Sequence, residues 1–170
     1  LIKKNKIYPI YNPYLKKIYR NSIHSRSKHL LSVGRLVKEK DFYNLIIAFN
    51  FIKKKIPKYK LIIIGDGKLK NELQDLVSNL GLNKRIIFIG WKSKLKKYYI
   101  NSKLFILNSL YEGLGNVVID AANYNLPIIT TNCNSREIID YGRGGFLVPI
   151  KNPRLLSRKI LFCLNNYKFS

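Results

Sequence analysis

The chain has 170 residues, 46% of them hydrophobic, which is enough for one domain with a real core and too apolar for a disordered chain. Its formal net charge of +23 favours anionic partners such as phosphates, nucleic acid or an anionic membrane surface. The alternative is that a drift in composition has produced a solvated lysine coat. No apolar run approaches the roughly 18 residues that a membrane-spanning helix needs. The two widely spaced cysteines favour neither a disulfide framework nor a zinc site, so we expect a reducing, cytoplasmic setting.

In chain order, short apolar runs alternate with amphipathic patterns. Residues 1–29 are basic and interrupted by prolines, and we interpret them as a linker with one short strand at 7–10. Beyond them, short apolar runs of three to five residues predict buried strands at 30–33, 61–64, 86–89, 104–107, 127–131 and 146–148. The patterns between them predict helices at about 41–55, 69–80, 93–100, 117–125, 135–141 and 153–166.

This alternation is typical of an α/β fold with a doubly wound, Rossmann-like parallel sheet covered on both faces. Ligands in such sheets bind outside the carboxyl ends of the strands. The turns at that edge contain the glycines Gly34, Gly65, Gly67, Gly90, Gly113 and Gly115. The topology therefore predicts one site assembled from several loops.

The stretch 108–127 differs in charge from the rest of the chain. Residues 108–150 contain no lysine and have a net charge of −2, whereas residues 1–60 have a net charge of +14. Within this region Glu112 lies in a loop that follows a predicted strand, and a predicted helix begins after Gly115. Free N–H groups and the macrodipole make the start of that helix a ready anion site. Glu112 and Asp120 flank it as hydroxyl acceptors, so a ligand with both phosphate and sugar hydroxyls would suit the group.

Two cations are placed to reach the same edge of the sheet. Arg35 directly follows Gly34 at the end of the first long strand, and Lys40 precedes the next helix. Together with helix-end N–H groups they could stabilise a diphosphate leaving group without a metal. The simpler reading is that both belong to the general excess of basic residues. Likewise, Glu112 could merely favour the helix dipole and Asp120 could be an exposed surface residue.

Other cofactor motifs are incomplete. Gly65-Asp66-Gly67 supplies half of the dinucleotide fingerprint, but Lys70 occupies its third glycine position. The Walker loop fails because Leu69 stands where Ser or Thr is required. The chain has no Asp-x-Asp pair, and both histidines fall within residues 1–29. We therefore expect neither a metal nor a cofactor, only a substrate.

These segments resemble the donor-binding, C-terminal domain of retaining glycosyltransferases with the GT-B fold, the glycosyl transferases group 1 family. Glu112 and Asp120, with seven residues between them, are similar to the family's signature pair of glutamates. The resemblance runs from about Leu30 to Asn166. It rests on segments in the family's order at 32–36 with 39–41, 64–67, 88–91, 112–120 and 145–149.

The resemblance implies a role for each candidate residue. Arg35 and Lys40 would hold the donor diphosphate, Glu112 would bind hydroxyls of the transferred sugar, and Asp120 would bind the ribose. The remaining donor-binding positions would be Gly34, Gly113, Leu114, Gly115, Asn116 and Val117, with the backbone of the last three meeting the phosphate. The chain departs from the family at two positions, because Asp41 replaces a frequent glycine and Asp120 is one methylene shorter than the usual glutamate.

The resulting hypothesis is a metal-independent glycosyltransferase domain at residues 30–170. It would transfer a sugar with retention from a nucleotide-diphosphate sugar to a glycan or lipid-linked acceptor. Members of the family carry an N-terminal acceptor domain, so we expect this chain to be a fragment that needs its missing partner half for turnover. The basic N-terminal stretch would suit peripheral attachment at the inner face of a membrane. The alternatives are a sugar-nucleotide epimerase or glycan phosphorylase of the same fold, and a basic nucleic-acid-binding module without catalysis.

Overall fold

A six-stranded, fully parallel sheet forms the centre of the computed structural model, which describes residues 27–113, 115–132 and 145–166. Helices lie on both of its faces. The strands are β1 (His29–Val33), β2 (Lys60–Ile64), β3 (Ile86–Gly90), β4 (Leu104–Leu107), β5 (Ile128–Thr131) and β6 (Gly145–Val148). The helices are α1 (Phe42–Ile52), α2 (Lys70–Asn79), α3 (Lys96–Asn101), α4 (Asn116–Asn123) and α5 (Pro153–Asn166), and a 3-10 turn covers Lys38–Lys40.

The strand order in the sheet is β3-β2-β1-β4-β5-β6, and every neighbouring pair is parallel. The predicted doubly wound, Rossmann-like sheet is therefore confirmed. The chain moves outward from β1 to β3 and then returns to place β4 beside β1, where Leu30 pairs with Leu104. This reversal opens a crevice between the carboxyl ends of β1 and β4, where open α/β sheets bind their ligands.

The strands bury both of their faces, which explains why their sequences are continuously apolar. On β1, Leu30 packs into the core under α1, α2 and α5, whereas Leu31 packs into the core under α3 and α4. Both leucines are fully buried. Alternate residues of one strand thus serve two separate cores.

Helix α1 begins at a polar cap with an unusual backbone. The Asp41 carboxylate accepts hydrogen bonds from the backbone N–H of Asn44 at 3.4 Å and from its side-chain amide at 2.7 Å. Asp41 therefore caps the start of α1. Its backbone is left-handed, with φ of 45° and ψ of 44°, which favours glycine and explains why that residue is frequent here in the resembled family.

Several element boundaries differ from the sequence-based expectations. Helix α1 ends at Ile52, short of the expected 55, and α3 begins at Lys96, later than the expected 93. Strand β1 begins at His29, a residue assigned to the linker from sequence. The 3-10 turn was not predicted. The expected strand at 7–10 and helix at 135–141 lie outside the described residues.

Candidate functional site

A cleft of about 320 Å³ opens at the crevice between the carboxyl ends of β1 and β4. It brings together residues from the end of β1, the turn before α1, the loop after β4 and the start of α4. Arg35, Lys40 and Glu112, the three charged residues predicted to act on the donor, line it together with most of the other predicted donor-binding residues. The described lining residues are Val33, Gly34, Arg35, Lys40, Glu112, Gly113, Gly115, Asn116 and Val117.

Close backbone packing fixes the β1 side of the cleft. The N–H of Gly34 donates to the carbonyl of Ile64 at 3.0 Å, and the N–H of Leu36 donates to the carbonyl of Asp66 at 2.9 Å. A Cβ at Gly65 would lie only 1.8 Å from the Gly34 carbonyl oxygen. The loops after β1 and β2 therefore touch through backbone alone, and this contact holds Arg35 at the rim, where its side chain is exposed.

An ion pair between Lys40 and Glu112 crosses the cleft. Lys40 Nζ donates to Glu112 Oε2, and Ser109 Oγ donates to the same oxygen at 3.0 Å. The two charged side chains are only 16% and 15% exposed, so the pair is much less solvated than an ordinary surface salt bridge. The carboxylate proposed to bind sugar and the ammonium proposed to bind diphosphate thus already contact each other.

Two further hydrogen bonds tie the loop after β4 to the turn before α1. Asn108 Nδ2 donates to the carbonyl of Asp41 at 2.9 Å, and the N–H of Leu110 donates to the carbonyl of Glu39 at 2.8 Å. Asn108 and Ser109 are both buried, although both are polar. The sequence interpretation assigned neither residue a role. Their place directly after an apolar strand, at the edge where ligands bind, was the signal that could have identified them.

The start of α4 forms the wall of the cleft opposite Lys40. Gly115 precedes the helix in a left-handed conformation, with φ of 57°. The N–H of Val118 donates a hydrogen bond to the carbonyl of Gly115 at 2.7 Å. By helix geometry the N–H groups of Asn116 and Val117 have no acceptor inside α4, and both residues line the cleft. The positive end of the helix dipole therefore faces the cavity.

Two predicted site residues fall apart from this group. Asp120 lies one helical turn beyond Asn116 on α4 and is not among the described residues that line the cleft. Leu114 lies outside the described residues. The ribose contact predicted for Asp120 and the backbone contact predicted for Leu114 stay predictions.

Burial raises the pKa of Asp41, which lies beside the cleft, above its ordinary value, while hydrogen bonds from Asn44 oppose that shift.

In the described part of the chain, no three His, Cys, Asp or Glu side chains group together as a metal site would require. The metal-independent chemistry remains a prediction. None of the described helices has the length and apolar character to cross a membrane.

A doubly wound sheet with a cleft and a helix N-terminus at its switch point defines a Rossmann-like domain of the kind found in GT-B glycosyltransferases. The family of glycosyl transferases group 1 matches residues 16–170, and the chain belongs to that family. The resemblance drawn from the sequence is thereby confirmed.

Relatives and solved structures agree with this assignment. An uncharacterized glycosyltransferase of Methanocaldococcus jannaschii is 40% identical over 137 residues, which cover 79% of this chain and 34% of the relative. A Campylobacter jejuni N-acetylgalactosaminyltransferase that acts on a diphospho-undecaprenol-linked sugar is 33% identical over 75% of this chain and 34% of its own length. Staphylococcus aureus TarM, solved with UDP, superposes with a TM-score of 0.80 at 25% identity over 88% of this chain and 31% of TarM.

The C-terminal domain of a group 1 protein from Francisella tularensis shows the same fold on its own. It superposes with a TM-score of 0.77 over 89% of this chain and 86% of that domain, at 24% identity. By contrast, this chain spans only about a third to a half of the curated relatives that it matches. It corresponds to the C-terminal domain of group 1 glycosyltransferases.

Proposed function

We propose that residues 30–170 bind a nucleotide-diphosphate sugar and present it for retaining transfer to a glycan or lipid-linked acceptor. One observation carries this proposal. Arg35 and Lys40 meet Glu112, which lies 72 positions beyond Lys40, in one cleft that the N-terminus of α4 also lines. Cations and N–H groups suit a diphosphate, and the carboxylate suits sugar hydroxyls.

In the proposed reaction, the bond between the anomeric carbon and the diphosphate oxygen breaks, and negative charge develops on the departing diphosphate. The Arg35 guanidinium can hold two phosphate oxygens at once, and Lys40 adds a compact second charge. The N–H groups of Asn116 and Val117 face the same cavity. We propose that these groups stabilise the leaving group without a metal ion.

The ion pair between Lys40 and Glu112 indicates how the contacts of these two side chains would change when a donor binds. A diphosphate carries more charge than one carboxylate and would compete for Lys40. Once Lys40 turns to phosphate, Glu112 keeps the Ser109 hydroxyl as a donor and gains a free acceptor oxygen for a sugar hydroxyl. The same two side chains thus serve both the empty and the occupied cleft.

The named relatives support the choice of ligand. TarM was solved with UDP, and the pneumococcal O-GlcNAc transferase GtfA, a fold neighbour with a TM-score of 0.81, was solved with UDP and GlcNAc. The Campylobacter relative is named for a lipid-linked acceptor. We therefore propose a uridine nucleotide as the first donor to test and a membrane-anchored glycan as the acceptor class. Turnover is expected only when this domain is joined to an acceptor-binding half.

Calorimetric titration with UDP-, GDP- and ADP-sugars tests the proposed site. We expect saturable binding of at least one donor and a loss of at least tenfold in affinity for Arg35→Ala, because a charge-assisted bidentate contact contributes about 1.5–3 kcal/mol. Arg158→Ala is a matched control, since Arg158 is an exposed arginine on α5 away from the cleft. Equal affinities for the wild type and Arg35→Ala would reject the site.

The Glu112→Gln variant separates the sugar contact from the diphosphate contact. It removes the competitor for Lys40, so we expect UDP to bind at least as tightly as to the wild type. We also expect the additional affinity gained from the attached sugar to fall. A uniform loss for UDP and UDP-sugar would place Glu112 in a purely structural role. Salt-sensitive binding of RNA that ignores both variants would favour the nucleic-acid-binding alternative. Net epimerisation or phosphorolysis by the complete protein would favour the other enzyme classes.

A further inference from the structure

The amino ends of the strands lie at the edge of the sheet opposite the donor cleft, and lysines cluster there. Lys28 directly precedes β1, Lys60 is the first residue of β2, and Lys103 directly precedes β4. Lys84 lies two residues before β3, and Lys58 lies two residues before β2. Four of these side chains are exposed, and that of Lys103 is partly buried. The five lysines are here termed the amino-edge row.

Strand pairing fixes the order of these lysines along the edge. The N–H of Lys60 donates to the carbonyl of Lys28 at 2.9 Å, and the N–H of Lys103 donates to the carbonyl of His29 at 2.8 Å. The sheet order β3-β2-β1-β4 therefore gives the row the order Lys84, Lys60, Lys28, Lys103. Because neighbouring strands lie about 4.7–4.9 Å apart, the row extends over about 15 Å.

The fold itself does not use the charges of the amino-edge row. Helices α1 and α2 end at the same edge, where basic side chains are favoured beside free helix carbonyls. Two other residues already fill that role. Lys53 Nζ donates to the carbonyl of Leu80 at 3.0 Å, and Arg85 donates to three carbonyls between α1 and β2. No side chain of the row has an ion-pair partner among the described residues.

Carboxylates are absent from this edge in the part of the chain that the structure describes. The positive potential reaches His29, whose pKa is lowered by burial and by Lys60. Residues 1–27, which lead into β1, contain basic residues and no acidic one. The row is therefore part of a surface of one sign that attracts polyanions. The described acidic residues lie in turns at the carboxyl edge or within α2 and α4: Glu39, Asp41, Asp66, Glu72, Asp75, Glu112 and Asp120.

The chemistry and position of the row favour a phosphate backbone among the possible polyanions. The centres of protein interfaces are enriched in aromatic residues and depleted in lysine, whereas Tyr59, the aromatic residue between two lysines of the row, packs against the core. An anionic bilayer at this edge would lie about 17 Å or more from the donor cleft, because a five-residue strand separates the two edges. That orientation does not suit transfer to a membrane-anchored acceptor. Lysine–phosphate contacts alone are sufficient for non-specific binding to nucleic acid.

We propose that the amino-edge row binds the phosphate backbone of a nucleic acid without preference for base sequence, while the donor cleft at the opposite edge stays accessible. Contacts to phosphates hold a nucleic acid in place but carry no sequence information. The proposal is independent of the proposed glycosyl transfer. Donor binding without RNA binding would reject this proposal and leave the transferase intact. RNA binding that accompanies saturable donor binding would support both, and RNA binding without donor binding would support this proposal alone.

Fluorescence anisotropy of a labelled oligoadenylate, titrated with the full 170-residue chain, tests the proposal. We expect saturable binding whose affinity falls steeply as salt is added. Free UDP in excess, at constant ionic strength, should not displace the oligonucleotide, because the two sites lie at opposite edges of the sheet. Displacement by UDP would place the nucleic acid in the donor cleft and overturn the proposal.

The triple variant Lys28→Gln/Lys60→Gln/Lys84→Gln removes three exposed charges from the row. Each phosphate contact to a single strand lowers the logarithm of the affinity by about 0.7 per tenfold rise in salt. We therefore expect this variant to bind on the order of a hundredfold more weakly at about 0.1 M salt, with a salt slope smaller by about 2. Lys28→Arg/Lys60→Arg/Lys84→Arg keeps the charges and should keep the affinity.

A matched control removes three exposed charges from the loops after β2 and β3, at the carboxyl edge: Lys68→Gln/Lys92→Gln/Lys94→Gln. It should bind RNA like the wild type. Equal weakening of the two glutamine variants would overturn the proposal, because total charge would then explain the binding. Unchanged affinity in the amino-edge variant would also overturn it, since the basic residues 1–27 would then be responsible. Binding to phosphatidylglycerol vesicles that exceeds RNA binding and is lost in the amino-edge variant would assign the row to a membrane, contrary to the proposal.

Discussion

The packing of Gly65 against Gly34 yields a sharp prediction about how the cleft is held together. Gly65 has φ of +148°, a conformation that L side chains rarely adopt. In Gly65→Ala, the new Cβ would lie 1.8 Å from the Gly34 carbonyl oxygen and 2.9 Å from its carbonyl carbon. Both obstacles are backbone atoms and cannot rotate away. The loop after β1 must therefore move by more than an ångström to accept one methyl group.

The cost can be estimated from two terms. A non-glycine residue in such a backbone region costs about 1–3 kcal/mol. Forcing a methyl group into a closely packed contact costs a further 1–3 kcal/mol, typically. We expect Gly65→Ala to lower the free energy of unfolding by about 2–6 kcal/mol, a large share of the 5–15 kcal/mol typical of domains. Because Arg35 follows Gly34, donor affinity should fall under conditions in which the variant is still folded.

Urea denaturation measures the first effect, and an unchanged slope with denaturant would show that only stability has altered. Gly81→Ala is the control, because Gly81 also has positive φ, at +64°, but no atom lies within 4 Å of the position that its new methyl group would occupy. It should cost only about 1–2 kcal/mol, from its backbone conformation alone. Equal losses in the two variants would refute the claim that contact between the β1 and β2 loops fixes the cleft.

Three further predictions concern other parts of the structure. Arg85 donates hydrogen bonds to the carbonyls of Tyr59, Ile56 and Lys53. Arg85→Met should therefore lower the free energy of unfolding measured in urea by about 1–3 kcal/mol, and an unchanged value would refute the importance of those contacts. Burial raises the pKa of Cys163 to about 12, so in a Cys133→Ser background its thiol should resist alkylation at pH 8 until the protein unfolds. The unfolded chain loses the thiol proton at lower pH than the folded protein does, so the free energy of unfolding should fall as the pH rises above 9. Burial and Lys60 lower the pKa of His29, so the unfolded state binds its proton more readily, and acidification below about pH 6.5 should destabilise the wild type more than His29→Gln. Parallel losses in the two proteins would contradict that last expectation.

The sheet was predictable because the hydrophobic pattern follows directly from burial. Runs such as that of β2, where Leu61 to Ile64 are all nearly inaccessible, can hardly be anything but strands covered on both faces. The start of α3 was harder to predict. Ser93 is a preferred N-cap residue and favours an early start, but the structure does not use it: Leu95 packs against the core and α3 begins at Lys96. Boundaries set by tertiary contacts of this kind leave little trace in the local sequence.

The candidate site was predictable to the level of its loops but not of its contacts. The carboxyl ends of parallel strands lie at one edge of the sheet, so Arg35, Lys40 and Glu112 could be placed at that edge from the sequence. The ion pair between Lys40 and Glu112 joins residues 72 positions apart, and no local pattern specifies it. The same holds for Asn108, whose amide reaches the carbonyl of Asp41 across 67 positions.

Asp41 takes part in these contacts, and its side-chain cap on α1 explains why this chain tolerates aspartate where the family frequently has glycine. A left-handed aspartate costs roughly 1–2 kcal/mol in backbone energy, whereas a side-chain cap at a helix start contributes typically about 1 kcal/mol. The two terms nearly cancel, so the replacement is tolerated. The Asp41 carbonyl accepts a hydrogen bond from the Asn108 side chain, and the N–H of Leu110 donates a second one to the carbonyl of Glu39. One side-chain and one backbone hydrogen bond therefore attach the turn that contains Lys40 to the loop that contains Glu112, and the ion pair forms between two segments already fixed in position.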